Sequence, residues 1–218
     1  MDDPRLPPVL AAVGAVTVEA WVEGTVLSSR RPTGSEIDAA ADLLADLHAL
    51  RTLDGHQFRN HQSTAAARAR ADRRAADLIT LGLLTERDGT RLVERIACGL
   101  PAMAARGVTH GDLRPENLVV TASGALRSID NEAVHIDFLA YDVGRTWSRW
   151  PMPESDWARF RRRYTTRARR ELGVEEEAAW CIIAALKGAH RWSHARHPST
   201  DAPLRALARA VDAFVTTG

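Results

Sequence analysis

The sequence predicts an α+β protein that is mostly helical, with one small β-hairpin near its middle. Two observations lead there: apolar residues recur at helical spacing over most of the chain, and the texture changes to short apolar runs and turns after Gly107. A third is length, since 218 residues suffice for one substantial core but not for two ordinary domains. The chain shows no internal repeat and no low-complexity linker.

The N-terminal elements follow from composition and spacing. Residues 8–27 are rich in valine with Gly14 as a break, which predicts two short strands joined by a turn, a hairpin ending at Gly24. Residues 33–50 predict a helix with a cap candidate at Ser35. Its apolar positions have helical spacing and are Ile37, Leu43, Leu44, Leu47 and Leu50.

The rest of the chain alternates in the same way. Residues 51–64 are polar and predict a loop, and two helices follow at 64–84 and 88–105. The runs 118–120 and 126–129 flank a glycine turn and predict the central hairpin. Helices are predicted again at 155–171, 175–196 and 201–215, punctuated by glycine and proline.

Composition excludes several classes of function. The formal net charge is +1, with 29 basic and 28 acidic residues, so no global field favours nucleic acid or an anionic membrane. The cysteines, Cys98 and Cys181, stand in apolar helix-like contexts and predict two buried thiols in a reducing compartment. No apolar run approaches a membrane span, and the N-terminus lacks the pattern of a secretory signal, so a cytoplasmic protein is expected.

Two short strings carry the chemistry. Residues 110–117 read HGDLRPEN, and residues 129–132 read IDNE. The hairpin between them would bring Asn117 and Asp130 to adjacent strand ends.

These strings resemble the catalytic loop and the metal-binding strand end of the aminoglycoside phosphotransferase and choline kinase family, which is protein-kinase-like. The resemblance covers residues 8–145, with a compatible helical tail, and implies the large lobe of the kinase fold. It implies ATP and Mg²⁺ as cofactors, Asp112 as catalytic base, and Asn117 and Asp130 as the metal ligands. His110 falls in the catalytic string, where a scaffold role is favoured over a general base.

The resemblance also extends to binding residues. The string VTVEAWVEG at 16–24 is similar to the hinge strand of the family, which makes Ala20, Trp21 and Val22 candidate nucleotide-binding residues. Glu132 is a candidate acid that either supports the metal ligands or faces the substrate. Trp147, Trp150 and Trp157 follow the metal strand where the family builds its acceptor pocket; packing between helices is favoured for at least two of them, and Trp147 and Trp150 are the candidates to line the substrate site.

The sequence predicts that the small lobe found in such kinases is absent or reduced in this chain. It supplies a glycine-rich loop and a strand lysine, yet no G-x-G string precedes the presumed hinge, and the only lysine of the chain is Lys187. Residues 1–24 are therefore assigned to remnant small-lobe strands and hinge, and residues 25–218 to the large lobe. Arg5, Arg30 and Arg31 are candidates to supply the missing charge, although an arginine fork is not a point charge.

Three functions stay open. The first is transfer of the ATP γ-phosphoryl group to a small-molecule hydroxyl, with the small lobe supplied by a partner protein or missing from this sequence. The second is ATP-independent acid/base chemistry, such as an elimination or cyclisation, on a repurposed site. The third is a kinase-like binding module without catalysis.

The arginine-rich string FRRRYTTRARR at 160–170 has two readings. A solvated helix face balanced by Glu171 and by Glu175 to Glu177 is favoured over a patch that attracts an anionic substrate or an acidic partner. Nucleic acid is disfavoured because aromatic residues are sparse there.

Overall fold

The computed structural model describes residues 6–13, 16–50, 63–195 and 201–216. Its strands are Val9–Val13 (β1), Val16–Glu19 (β2), Thr25–Val26 (β3), Arg106–Thr109 (β4), Leu118–Val120 (β5), Leu126–Ser128 (β6) and His135–Phe138 (β7). Its helices are Gly34–His48 (α1), Thr64–Thr80 (α2), Glu86–Gly99 (α3), Leu139–Arg149 (α4), Glu154–Ala168 (α5), Val174–Ser193 (α6) and Ala202–Val211 (α7), followed by a π-helical turn, Asp212–Thr216. The predicted mostly helical α+β class is confirmed.

The described residues divide into two compact units. The first unit takes its residues from Met1–Phe58, Gly107–Ile136 and Met152–Arg170, and the second from Arg59–Arg106, Asp137–Pro151 and Glu171–Gly218. This division interleaves along the chain. The proposed boundary at residue 24 between a small-lobe remnant and a large lobe is a separate matter and stays a prediction.

Short antiparallel pairings build two sheets of the first unit. β1 pairs with β2, which confirms the N-terminal hairpin. β5 stands between β3 and β6, with Leu118 opposite Ser128 and Val120 opposite Leu126, which confirms the central hairpin. β3 pairs with β5 rather than with the N-terminal hairpin, and β4 pairs with β7.

α1 and α5 lie side by side in the first unit and run in the same direction. Three arginines of α5 each donate two hydrogen bonds, of 2.6–3.0 Å, to an aspartate of α1 that stands 121 residues earlier in the chain. The pairs are Arg159 with Asp38, Arg163 with Asp42, and Arg167 with Asp46. The arginine-rich string is therefore structural in part, but its prediction named the wrong acidic partners. Sequence spacing cannot reveal a partner on a distant helix.

A capping box begins α1. Thr33 Oγ1 accepts from the N–H of Glu36 at 3.4 Å, and the Glu36 carboxylate accepts from the N–H of Thr33 at 2.7 Å. The predicted cap at Ser35 is wrong, because only Thr33 has a glutamate three residues later. Hydrogen bonds from the Arg30 guanidinium lower the pKa of Glu36 from 4.5 to about 2.

A buried polar pair also joins α1 to α5. His48 Nδ1 lies 2.8 Å from the hydroxyl of Tyr164, and both side chains are buried. The hydrogen bond satisfies two groups that would otherwise be costly to remove from water.

α6 forms much of the core of the second unit. Residues Ala178 to Leu186 are buried without a break. A Cβ at Gly144 of α4 would come within 2.6 Å of the Trp180 carbonyl, and one at Gly99 of α3 within 2.1 Å of the Glu175 oxygen. Glycine at these two positions therefore lets the neighbouring helices approach the backbone of α6.

Several sequence-based expectations need correction in the second unit. α4 was not predicted as a helix. α3 ends at Gly99 rather than at residue 105, since Leu100 precedes a proline and leaves the helical region. Cys98 is exposed, so only Cys181 is a buried thiol, and both are free.

Two further expectations concern other parts of the chain. The predicted loop at 51–64 lies almost wholly outside the described residues. Across the described ranges, none of the helices combines the length and apolar composition needed to cross a bilayer.

Candidate active site

The loop from His110 to Asp112 begins directly after β4 in the first unit. Thr109 Oγ1 donates to the His135 carbonyl at 2.9 Å, which ties the end of β4 to the strand that follows the hairpin. Gly111 has a φ of 74°, and a Cβ there would lie 2.6 Å from the Ala133 carbonyl oxygen. Both the left-handed backbone and the close approach require glycine at this position.

His110 is fully buried and holds the loop through a chain of hydrogen bonds. Its Nδ1 accepts from the N–H of Asp112 at 3.2 Å, so the neutral ring carries its proton on Nε2, which donates to Ser128 Oγ. Ser128 Oγ donates in turn to Asn131 Oδ1 at 2.9 Å, and Asn131 Nδ2 donates to the Ser128 carbonyl at 3.3 Å. This geometry supports a positioning role for His110 rather than contact with reactants.

Asn117 links the loop to the hairpin. Its side chain is buried, and Nδ2 donates to the Asp112 carbonyl at 3.0 Å and to Asp112 Oδ2 at 3.2 Å. The backbone carbonyl of Asn117 accepts a hydrogen bond from the N–H of Ile129 at 2.9 Å. Since Asp130 follows Ile129, the hairpin brings the backbones of Asn117 and Asp130 to adjacent strand ends, as the spacing predicts.

Asp130 ends the hairpin in an unusual conformation. Its backbone is left-handed, with φ 57° and ψ 53°, and its side chain is exposed. Such backbone is uncommon outside glycine, although aspartate tolerates it better than most residues. Strain of this kind is concentrated at functional sites, which makes Asp130 a candidate ligand on physical grounds as well.

The donor set suits a hard cation that brings its own partners. Within the described residues no group of three or more His, Cys, Asp or Glu side chains is placed to hold a metal ion. The Asn117 amide and the Asp130 carboxylate offer oxygen ligands, and Mg²⁺ commonly takes one or two protein ligands and fills the rest with water and phosphate oxygens. The residues therefore fit Mg²⁺ better than a transition metal.

Arg114 is a site residue that sequence reasoning missed. Its Nε lies 3.2 Å from Asp112 Oδ2, and the two side chains are 33% and 15% exposed. The signal was present, because an arginine two residues after the aspartate stands in the same loop. The arginines proposed from the sequence to supply the missing charge lie instead in the N-terminal segment.

Two of the N-terminal arginines proposed to supply the missing charge lie next to carboxylates of the chain. Arg30 forms an ion pair with Glu36, and Arg31 lies 3.7 Å from Asp156. Arg5 lies outside the described residues. Lys187 belongs to α6 in the second unit, as expected for a residue that does not replace the missing strand lysine.

The presumed hinge lines a small cleft in the first unit. Its volume is about 130 Å³, and its lining includes Ala20, Trp21 and Val22 together with Pro8 and Arg127. Trp21 is 91% exposed. The N–H of Ala20 donates to the Pro8 carbonyl at 2.8 Å, so that donor is used within the chain.

The candidate acceptor residues differ in exposure. Glu132 is exposed immediately after Asp130 and Asn131. Trp147 and Trp150 are buried in the second unit, where the Trp147 ring lies 5.5 Å from the Phe214 ring and under the Arg209 guanidinium at 3.9 Å. The packing interpretation accounts for Trp147, and a substrate contact for either tryptophan stays a prediction.

Comparison with known proteins places this geometry in a family. The profile of the "Phosphotransferase enzyme family" matches residues 14–181, which is well over half of the chain. The chain belongs to that family. The predicted family is therefore confirmed.

Solved structures agree on the fold. A choline kinase from Cryptosporidium parvum is 13% identical, with a TM-score of 0.60 over 96% of this chain and 73% of its own. An ethanolamine kinase from Plasmodium vivax is 12% identical, with a TM-score of 0.64 over 97% of this chain and 70% of its own. An aminoglycoside-3'-phosphotransferase of type VIII is 23% identical, with a TM-score of 0.52 over 82% of this chain and 73% of its own.

A short stretch of the chain is similar in sequence to a protein kinase. It is 39% identical over 61 residues to the serine/threonine-protein kinase H1 homolog of Danio rerio. That stretch is 28% of this chain and 14% of the zebrafish protein. The likeness is therefore local.

Proposed function

We propose that this phosphotransferase moves the γ-phosphoryl group of ATP to a hydroxyl group of a small molecule. The observation that carries the proposal is the double hydrogen bond from Asn117 Nδ2 to Asp112, together with the bond from Ile129 to the Asn117 carbonyl. These contacts hold Asp112 beside Asn117 and put Asn117 next to the strand end that precedes Asp130. Phosphoryl transfer depends mainly on such positioning and on charge stabilisation.

Asp112 is the proposed base for the acceptor hydroxyl. Its carboxylate accepts a hydrogen bond from Asn117 and forms an ion pair with Arg114, whose Nε lies 3.2 Å from Oδ2 without hydrogen-bond geometry, and the two contacts restrain its orientation. The side chain keeps 15% of its surface exposed, which leaves room for an acceptor oxygen. Arg114 lies beside Asp112 and is the cation proposed to stabilise the phosphoryl charge. Its planar guanidinium can contact two oxygens at once.

Mg²⁺ is the proposed metal, and Asn117 and Asp130 are its proposed ligands. When bound, it would neutralise phosphate charge and align the triphosphate. The side-chain nitrogen of Asn117 donates hydrogen bonds to Asp112, so the oxygen of the same amide is the atom proposed to bind the ion. His110, Ser128 and Asn131 would hold the Asp112 loop and the start of the segment after Asp130.

We propose a partner because the cleft beside the presumed hinge is small for a nucleotide. Ligand pockets of drug-sized molecules usually measure about 300–1,000 Å³, and the hinge cleft of about 130 Å³ is smaller. We infer that a second polypeptide supplies the small lobe against residues 1–24, and that Ala20, Trp21 and Val22 contact the nucleotide in that assembly. Glu132 is the proposed acceptor-facing acid of the first unit.

Calorimetry of Mg²⁺·ATP binding tests the proposal directly. Binding to the wild-type chain that is lost in Asp130→Ala, and kept in Glu116→Ala, supports the assigned metal ligand. Glu116 is an exposed acid next to Asn117, so its variant controls for the loss of one negative charge. No binding at millimolar nucleotide, with or without a small-lobe partner, would refute ATP use.

Turnover separates the remaining functions. Phosphotransfer predicts ATP-dependent product that Asp112→Asn abolishes. ATP-independent acid/base chemistry predicts product without nucleotide, and a binding module predicts that Asp112→Asn changes neither ligand binding nor turnover.

A further inference from the structure

A directed series of hydrogen bonds in the first unit runs from the catalytic loop to the turn after Asp130. The N–H of Asp112 donates to His110 Nδ1 at 3.2 Å, and His110 Nε2 donates to Ser128 Oγ. Ser128 Oγ donates in turn to Asn131 Oδ1 at 2.9 Å. Because a backbone N–H can only donate, the first bond fixes the direction of every bond that follows it. The side chains of His110, Ser128 and Asn131 form this relay.

Burial makes the bonds of the relay depend on one another. His110 and Ser128 are both 0% exposed, and Asn131 is half-buried. When a buried hydrogen bond loses one partner, the other group is left unsatisfied, which costs more than the bond itself contributes. A change at Asn131 therefore alters the environment of the Ser128 hydroxyl and, through that hydroxyl, the ring of His110.

Asn131 also closes a ring of hydrogen bonds around Asp130. Its Nδ2 donates to the Ser128 carbonyl at 3.3 Å, so the side chain reaches back past Asp130 to the end of β6. Asp130 has left-handed backbone, with a φ of 57°, which is unfavourable for a residue with a Cβ and must be held by its surroundings. The Asp130 side chain makes no capping hydrogen bond to the turn that follows it. The ring therefore holds the backbone of Asp130, and that turn does not use its carboxylate.

We propose that Asn131 is a positioning residue that couples the backbone of Asp130 to the orientation of the Asp112 loop. One side chain serves both ends of the coupling, since Asn131 Oδ1 belongs to the relay and Asn131 Nδ2 closes the ring. The inference rests on the proposed function for the roles of Asp112 as base and Asp130 as metal ligand. In that function, a cation that orders Asp130 also orders the loop that carries the base.

Amide hydrogen exchange of the full chain without metal or nucleotide, followed residue by residue by NMR, tests the coupling. Asn131→Leu keeps the size of the side chain and removes both polar atoms, and we expect the Asp112 amide to exchange about tenfold faster. Ser128→Ala should have the same effect, and the double variant should exchange no faster than the faster single variant, because each change breaks the same relay. The amide of Leu44, which is buried in α1, reports unfolding of the first unit. A general loss of stability would change both rates, whereas loss of the relay changes only that of Asp112.

Ser123→Ala is the matched control. It removes an exposed hydroxyl in the turn of the same hairpin, 2.9 Å from the Thr121 hydroxyl, and should leave the exchange of Asp112 unchanged. The His110 ring gives a second readout, because the relay requires its proton on Nε2 and nitrogen chemical shifts distinguish the two tautomers. The coupling is overturned if Asn131→Leu leaves the Asp112 amide protected, if Ser123→Ala exposes it equally, or if the wild-type ring is protonated on Nδ1.

Mn²⁺, a paramagnetic cation that favours the same oxygen ligands as Mg²⁺, separates this coupling from the proposed function. Its binding is followed by the broadening of amide signals near Asp130, and Asn131→Leu should weaken it by about tenfold relative to Ser123→Ala. Mn²⁺ that does not bind the wild type would refute the metal ligand of the proposed function, while the exchange rates measured without metal would still decide the coupling. Equal Mn²⁺ affinities of the wild type and Asn131→Leu would overturn the claim that Asn131 positions Asp130.

Discussion

Gly111→Ala is the sharpest test of how the candidate active site is built. A non-glycine residue in left-handed backbone costs about 1–2 kcal/mol, and Gly111 has a φ of 74°. The new Cβ would also lie 2.6 Å from the Ala133 carbonyl oxygen, closer than real contacts allow. Overpacking of that kind costs about 1–3 kcal/mol more. We therefore expect a loss of about 2–5 kcal/mol in the free energy of unfolding.

Gly124→Ala provides the matched control. Gly124 has a φ of 81° in the turn of the central hairpin, and a Cβ there would meet nothing within 4 Å. It should show only the backbone cost, about 1–2 kcal/mol. Urea denaturation of both variants measures the difference, which belongs to the contact with Ala133. Equal losses in the two variants would refute the claim that the catalytic loop depends on that close approach.

Three other perturbations test the first unit. The folded pKa of Glu36 is about 2 against an ordinary 4.5, so its contribution to stability is complete above pH 4.5 and is lost as pH falls toward 2; a Glu36→Gln variant should show a weaker pH dependence of urea denaturation in that window. A double-mutant cycle on Arg163 and Asp42 should give favourable coupling that shrinks at about 1 M salt, where the Debye length is about 3 Å; coupling that ignores salt would contradict an exposed ion pair. Tyr164→Phe should cost about 1–3 kcal/mol in the free energy of unfolding, because it leaves the ring nitrogen of His48 buried without its partner; a neutral result would contradict that hydrogen bond.

The fold was predictable where one local signal dominates. Helical spacing located most helices, and the glycine turn located the central hairpin that carries Asn117 and Asp130. α4 was missed because Val143, Gly144 and Thr146 are weak helix formers, and Gly144 is there for its close approach to α6. Tertiary packing overrides propensity in such a segment.

The sequence motif supplies candidate residues for the site but not the contacts between them. The motif named Asp112, Asn117 and Asp130 because phosphoryl transfer requires those residue types at that spacing. It did not reveal Ser128 or Arg114, whose roles depend on which side chains the loop brings within reach. The partners of the α5 arginines were hidden for the same reason, since 121 residues separate each pair.

A kinase-like enzyme must position its base and must also bind the nucleotide. The contacts within the candidate site serve the first of these requirements. Asp112 is oriented by Asn117 and Arg114, and its loop is fixed through His110 and Ser128, all of them residues of the first unit between 107 and 136. None of these contacts uses the segment before residue 24. A partner that completes the nucleotide site would therefore have to bind and orient ATP, but it would not have to assemble the catalytic loop. For this reason the binding constant for nucleotide should depend on the partner far more strongly than the stability of the His110 to Asp112 loop does.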